Sequence, residues 1–126
     1  MTIEALDVMK NAMAEMGLEY SFMKRKSEPV YPYFTGEYQE IEPLNEDGLE
    51  ESLFILNGFS RGEAMLLEEA KAKIKEKFNP RDGLIVTTES GSVVAIFYSN
   101  SLPVETEDAE LERIQINLDV KEWSVN

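Results

Sequence analysis

Apolar and polar positions along this chain repeat with two different periods, and the switches between them divide the chain into elements. Ile3, Leu6, Met9, Met13 and Met16 recur at spacings of three and four, the stripe of an amphipathic helix over about Thr2 to Met16. Thr2 is placed to cap that helix, Glu4 suits its positive end, and Gly17 can close it in a left-handed turn. Leu18, Tyr20 and Phe22 then alternate with Glu19 and Ser21, which predicts a short strand. The segment Val30 to Tyr38 is aromatic, but Pro29, Pro32 and Gly36 oppose an interior position, so an edge strand bent at Gly36 is expected.

The run Leu53 to Leu56 is continuously apolar and predicts a buried strand ending near Phe59. Ser60-Arg61-Gly62-Glu63 has the spacing of a capping box, so a second helix is expected from Arg61 to Phe78. Leu67, Ala70, Ile74 and Phe78 form its inner stripe, with Glu early and Lys late as the helix dipole prefers. Met65 and Leu66 fall outside the stripe, so that end of the helix is expected to hold apolar surface for a subunit contact. Leu84 to Thr88 and Ser92 to Ser99 predict a β-hairpin, and Asn100 to Leu111 a loop. The cleanest alternation comes last: Ile114, Ile116, Leu118 and Val120 against Arg113, Gln115, Asn117, Asp119 and Lys121. Trp123 follows, where it can clamp the terminal strand.

The order is therefore α-β-β-β-α-β-β-β. It predicts an α+β fold, one mixed or mostly antiparallel sheet with two helices packed on it, in a single domain over 1–126. A chain of 126 residues removes roughly 65–70% of its unfolded surface from water on folding, enough for a core without staples.

Composition narrows the chemistry. There is no cysteine and no histidine, so disulfides, thiolate metal sites and the commonest general base and metal ligand are excluded. The net charge of −13 disfavours specific nucleic-acid binding and anionic membrane surfaces. Lys24-Arg25-Lys26 is read as a solvated turn. Seven of the residues from Glu37 to Glu51 are acidic and none is basic, so this stretch is expected to be an exposed loop or hairpin turn. Its Asn45-Glu46-Asp47-Gly48, like Glu105-Thr106-Glu107-Asp108, lacks the spacing of a calcium loop, so no metal and no cofactor is expected. The N-terminus has no basic region followed by an apolar run, and no stretch is long enough to span a bilayer, so a protein that stays where it is made is expected. Nothing resembles a catalytic signature, and a non-enzyme is expected.

Three stretches carry a resemblance to a known family: Tyr31-Pro32-Tyr33-Phe34-Thr35-Gly36, the join from Leu53 to Glu63, and Thr106 to Leu118 leading to Trp123. Over about Tyr31 to Trp123 the chain resembles the tail terminators, small tail-completion proteins of long-tailed bacteriophages and prophages. The resemblance implies an α/β fold and a hexameric ring on the head-proximal end of the tail tube. It implies three partners: further copies of the chain, the tail tube protein and the head–tail connector. It also implies assembly in the host bacterial cytoplasm and residence in the virion tail. Tyr31, Tyr33, Met65 and Leu66 are the candidate contact residues for the ring or tube. A neck or head-completion protein of similar fold, an acidic DNA-mimic inhibitor of a host nuclease and a carboxylate-only enzyme are the alternatives.

Overall fold

The computed structural model describes residues 1–24, 29–42 and 48–124. Two helices and six strands follow in the expected order: α1 Ile3–Glu15, β1 Glu19–Phe22, β2 Tyr33–Glu42, β3 Leu49–Arg61, α2 Ala64–Lys77, β4 Leu84–Thr87, β5 Val93–Val104 and β6 Leu111–Trp123. They form one six-stranded sheet in the order β1-β2-β3-β6-β5-β4. Only the β1–β2 pair is parallel, so the sheet is mixed and the α+β expectation is met.

The strand β6 lies at the centre, paired with β3 over its whole length and with β5 on its other side. Its apolar positions Ile114, Ile116, Leu118 and Val120 are all buried. They share a core with Phe34, Phe54, Leu56, Val94 and Ile96, and with the buried residues of both helices. Because these strand residues all point to one side of the pleat, α1 and α2 cover the same face of the sheet. Among the described residues no helix lies on the other face.

Two glycines on the covered face make room for aromatic rings. A Cβ on Gly58 would lie 2.4 Å from the Phe34 ring, and one on Gly36 would lie 2.5 Å from the Phe54 ring. Gly58 stands directly opposite Phe34 in the β2–β3 ladder, so the ring fills the space a side chain would otherwise take. The first helix is tied down at its start. The Oγ1 of Thr2 accepts from the Ala5 N–H (3.1 Å) and donates to the Glu122 carboxylate (2.6 Å), which also receives the Thr2 N–H (3.2 Å). Glu122 is 3% exposed, so this carboxylate at a helix N-terminus is a buried, charge-assisted cap. The Met1 ammonium beside it lies 3.5 Å from Glu40 and 3.8 Å from Glu50.

Several boundaries differ from the expectation, each for a physical reason. The capping box does not form: Ser60 belongs to β3, opposite Glu112 of β6, and its buried Oγ has no hydrogen-bond partner among the described residues. The chain turns at Gly62 (φ +79°), and α2 begins at Ala64 after Glu63, which makes no side-chain cap. The strand holding Tyr33 and Gly36 is at an edge only beyond Gly36, because β1 adds in parallel outside its first four residues. The stretch Glu37 to Glu51 is mostly strand rather than loop, since β2 continues to Glu42 and β3 starts at Leu49. The intervening Asn45-Glu46-Asp47, with Arg25 and Lys26 of the basic run, lies outside the described residues.

The expected loop from Asn100 is, as far as Val104, the continuation of β5 past an irregularity between Tyr98 and Asn100. Pro103 is tolerated because β4 pairs with β5 only from Val93 to Ile96, leaving the rest of β5 at an edge. Of the α1 stripe, Met9 and Met13 are fully buried, but Ile3 is 80% exposed at the helix start. In α2, Leu67, Ala70 and Ile74 are buried as expected, and so is Phe78 just beyond it.

Gly58→Ala is expected to lower stability by about 1–3 kcal/mol, because the new methyl must displace the Phe34 ring from a closed core. Urea denaturation would read this. A change of a few tenths of a kcal/mol would mean that the ring does not hold the glycine position.

Candidate functional site

The two sheet faces differ in what they offer. On the uncovered face, β6 presents its polar set, Arg113, Gln115, Asn117, Asp119 and Lys121, as a spine. Apolar side chains of β3 (Leu53, Ile55, Phe59) and β5 (Phe97, Leu102, Val104) stand on either side of it in ladder register.

At one end of this face, where β2 starts and β3 ends, aromatic rings and guanidinium groups gather. The Tyr31–Pro32 peptide is cis. The rings of Tyr31 and Tyr33 lie 5.5 Å apart and tilted, and Tyr33 stacks on Phe59 at 5.1 Å. That stack follows from register, since Tyr33 and Phe59 are direct partners across the β2–β3 ladder. Arg61 sits 5.8 Å above the Tyr31 ring, and Arg113 lies 5.8 Å above Phe59.

Hydrogen bonds fix both cations. Arg61 donates to Asp108 at 3.0 Å, with Glu110 at 3.8 Å. The backbone N–H of Gly62 donates to the Glu110 carbonyl, which fastens the end of β3 to the turn before β6. Arg113 donates to the Asn57 Oδ1 at 2.8 Å, and the Asn57 amide donates to Glu37 at 3.2 Å. The Arg113 Nε is buried without a partner among the described residues. The Asp108 carboxyl is held below its ordinary range, first by the Glu110 N–H and then by Arg61. Arg61 is in turn held more strongly protonated by the Tyr31 hydroxyl and by Asp108.

The four sequence-derived contact residues fall near this corner but do not form one patch. Tyr31 is half-buried against Arg61, whereas Tyr33 is only 2% exposed and acts as the support beneath it. Met65 is 67% exposed at the start of α2, and Leu66 beside it is half-buried. Phe59, Asn57 and Arg113 were missed. Phe59 read as the tail of an apolar run and Arg113 as one polar position in an alternating strand, and only the register between β2, β3 and β6 joins them. Trp123, expected as a clamp, ends β6 between Leu49 and Val93 on the uncovered face.

Two grooves measure about 450 Å³, and the second of them adjoins the corner through Asp108 and Arg113. One lies between α1 and β1, lined by Ile3, Leu6, Tyr20 and Phe22, and the other runs along the turn between β5 and β6. Among the described residues no group of three acidic side chains is disposed to hold a metal ion. No helix among them is long and apolar enough to cross a membrane. The chemistry this corner supports is recognition, since rings, guanidinium groups and amides at a partly desolvated edge are the components of binding hot spots.

No family model matches the chain, and no curated protein matches it in sequence. Solved structures do match. A chain from the virion of a native gene transfer agent particle superposes with a TM-score of 0.66 at 13% identity, covering 95% of this chain and 90% of that one. The fold recurs in a virion particle. A second solved chain, which carries no functional description, superposes with a TM-score of 0.69 at 15% identity, over 100% of this chain and 99% of that one. At these identities the likeness establishes the shared fold from end to end.

The depressed Asp108 titration has a testable sign. A carboxyl whose folded pKa lies below its unfolded value of about 3.9 contributes stability above that value and loses it as pH falls through the folded one. NMR titration is expected to place the Asp108 midpoint below the ordinary value. Arg61→Ala should raise it only part of the way, because the Glu110 N–H remains. A midpoint at the ordinary value in the parent protein would contradict the Arg61–Asp108–Glu110 arrangement.

Proposed function

We propose that this chain is a structural component of a phage-like virion, of the tail-terminator type. In this role copies form a ring on the head-proximal end of the tail tube, stop further growth and present a surface to the head connector. The observation that carries the reading is the fold shared over nearly the whole chain with a gene transfer agent virion protein. The aromatic and arginine corner supports it, because it offers recognition groups without needing a reaction.

The mechanism is interface geometry. A ring requires a heterologous contact, one patch of each copy meeting a different patch of the next, repeated through a closing rotation. Tyr31, braced from below by Tyr33, and the exposed Met65 with Leu66 are the proposed elements of that contact. Arg61, clamped by Asp108, keeps the Tyr31 ring in a fixed pose and thereby limits the entropy lost on assembly. Assembly takes place in the host cell, and the protein remains in the particle.

The test combines light scattering of the purified protein, alone and mixed with assembled tail tubes, with negative-stain imaging. Rings, or caps at one tube end with tubes of limited length, are expected. Replacing Met65 and Leu66 together by glutamate should leave the far-UV spectrum unchanged and abolish capping. A protein that never associates with tubes would shift the reading to a neck or head-completion role. Capping that survives the double substitution would remove the start of α2 from the contact.

A further inference from the structure

The uncovered sheet face is self-complementary. Among the described side chains of strands β2 to β6 it carries three carboxylates (Glu37, Glu51, Asp119) and three cations (Arg61, Arg113, Lys121), which balance one another. The chain as a whole carries −13. Two copies therefore repel each other over most of their surface, and this face, with its mixed charge, is where that repulsion is weakest.

The order of groups along the β6 spine is informative. Arg113, Gln115, Asn117 and Asp119 read the same, with charges exchanged, when a second β6 is laid over the first in the opposite direction. A two-fold axis crossing β6 at the level of Ile116 sets Arg113 of one copy over Asp119 of the other, and Gln115 over Asn117. The flanks follow through the ladder register. Arg113 is partnered by Phe59 and Val104, and Asp119 by Leu53 and Phe97. The same axis therefore sets Phe59 over Leu53 and Val104 over Phe97, apolar against apolar at the two ends, with Ile55 over Asn57 and Leu102 over Asn100 between them.

Within one copy Arg113 and Asp119 are six residues apart, roughly 20 Å along a strand, too far to meet. The Asp119 side chain has no hydrogen bond or ion pair among the described residues and is exposed. The size also fits. Five strands at about 4.8 Å spacing by roughly 35 Å of strand give a face of about 800 Å², the usual share of one partner in a stable complex.

We propose that the free protein forms a two-fold dimer in which the uncovered sheet faces of two copies pack on each other, with Arg113 of each against Asp119 of the other. The sheets then lie about 10 Å apart in the aligned manner of a β-sandwich. This contact is isologous, unlike the heterologous ring contact, with which it shares the aromatic corner of the face, and its test does not depend on the virion reading.

Sedimentation velocity up to about 100 µM reads it directly, since interfaces of this size reach micromolar affinity or better. The parent protein is expected to sediment as a dimer. Asp119→Arg sets arginine against arginine at both ends of the spine and is expected to weaken the dimer at least tenfold. Its far-UV spectrum should stay unchanged, because position 119 is exposed. Arg113→Asp should do the same, and the double variant R113D/D119R should recover the dimer by exchanging the partners. Since Arg113 also braces Asn57 and Phe59, Asp119→Arg alone decides the case if the Arg113 variants do not fold. A monomeric parent protein, or a dimer indifferent to Asp119→Arg, would overturn the proposal.

Discussion

Period-two alternation on the central strand is the constraint from which the rest of the structure follows. Every second residue of β6 from Ile114 to Val120 is buried, and the residues between are polar. A strand paired on both sides cannot rotate to compromise between its faces, so each set of side chains is committed to its own side. The apolar set collects both helices, and their buried residues join the strand residues in one core. The polar set then has to remain on the other side, where a further helix would meet three charges and two amides along a single strand. A sheet covered on one side only is the result.

That asymmetry separates stability from recognition. The covered face is closed to the point of needing glycine opposite Phe34 and beneath Phe54, and it fastens α1 through the buried Glu122 carboxylate. The uncovered face keeps its apolar side chains in strips beside a polar spine, with an aromatic and arginine corner at one end. The groups of that corner are already held by the ladder and by one another, so little side-chain freedom is left there to lose on meeting a partner.

What could be read from the residues alone depended on how local the determining interactions are. The α1 cap at Thr2, the inner stripe of Leu67, Ala70 and Ile74 and the alternation of β6 are set within a few residues, and all were legible. The Ser60–Glu63 box was misread because the pairing of Ser60 with Glu112 and Arg61 with Leu111 extends β3 through it. Those partners lie some fifty residues away in sequence. The extension of β5 was hidden by Pro103, which a chain segment cannot show to be at an edge until its neighbours are known. The parallel addition of β1 outside β2 is likewise a matter of distant pairing. The aromatic and arginine corner was half legible: Tyr31 and Tyr33 announce themselves by composition, while Phe59, Asn57 and Arg113 join them only through register.

The central claim is that the molecule works as a part of a particle. Quantitative mass spectrometry of purified tailed particles from cells that encode it tests this most directly. The account predicts that the protein is present in a small fixed ratio to the particle and is far scarcer than the tail tube protein. Its absence from intact, full-length particles would contradict the claim.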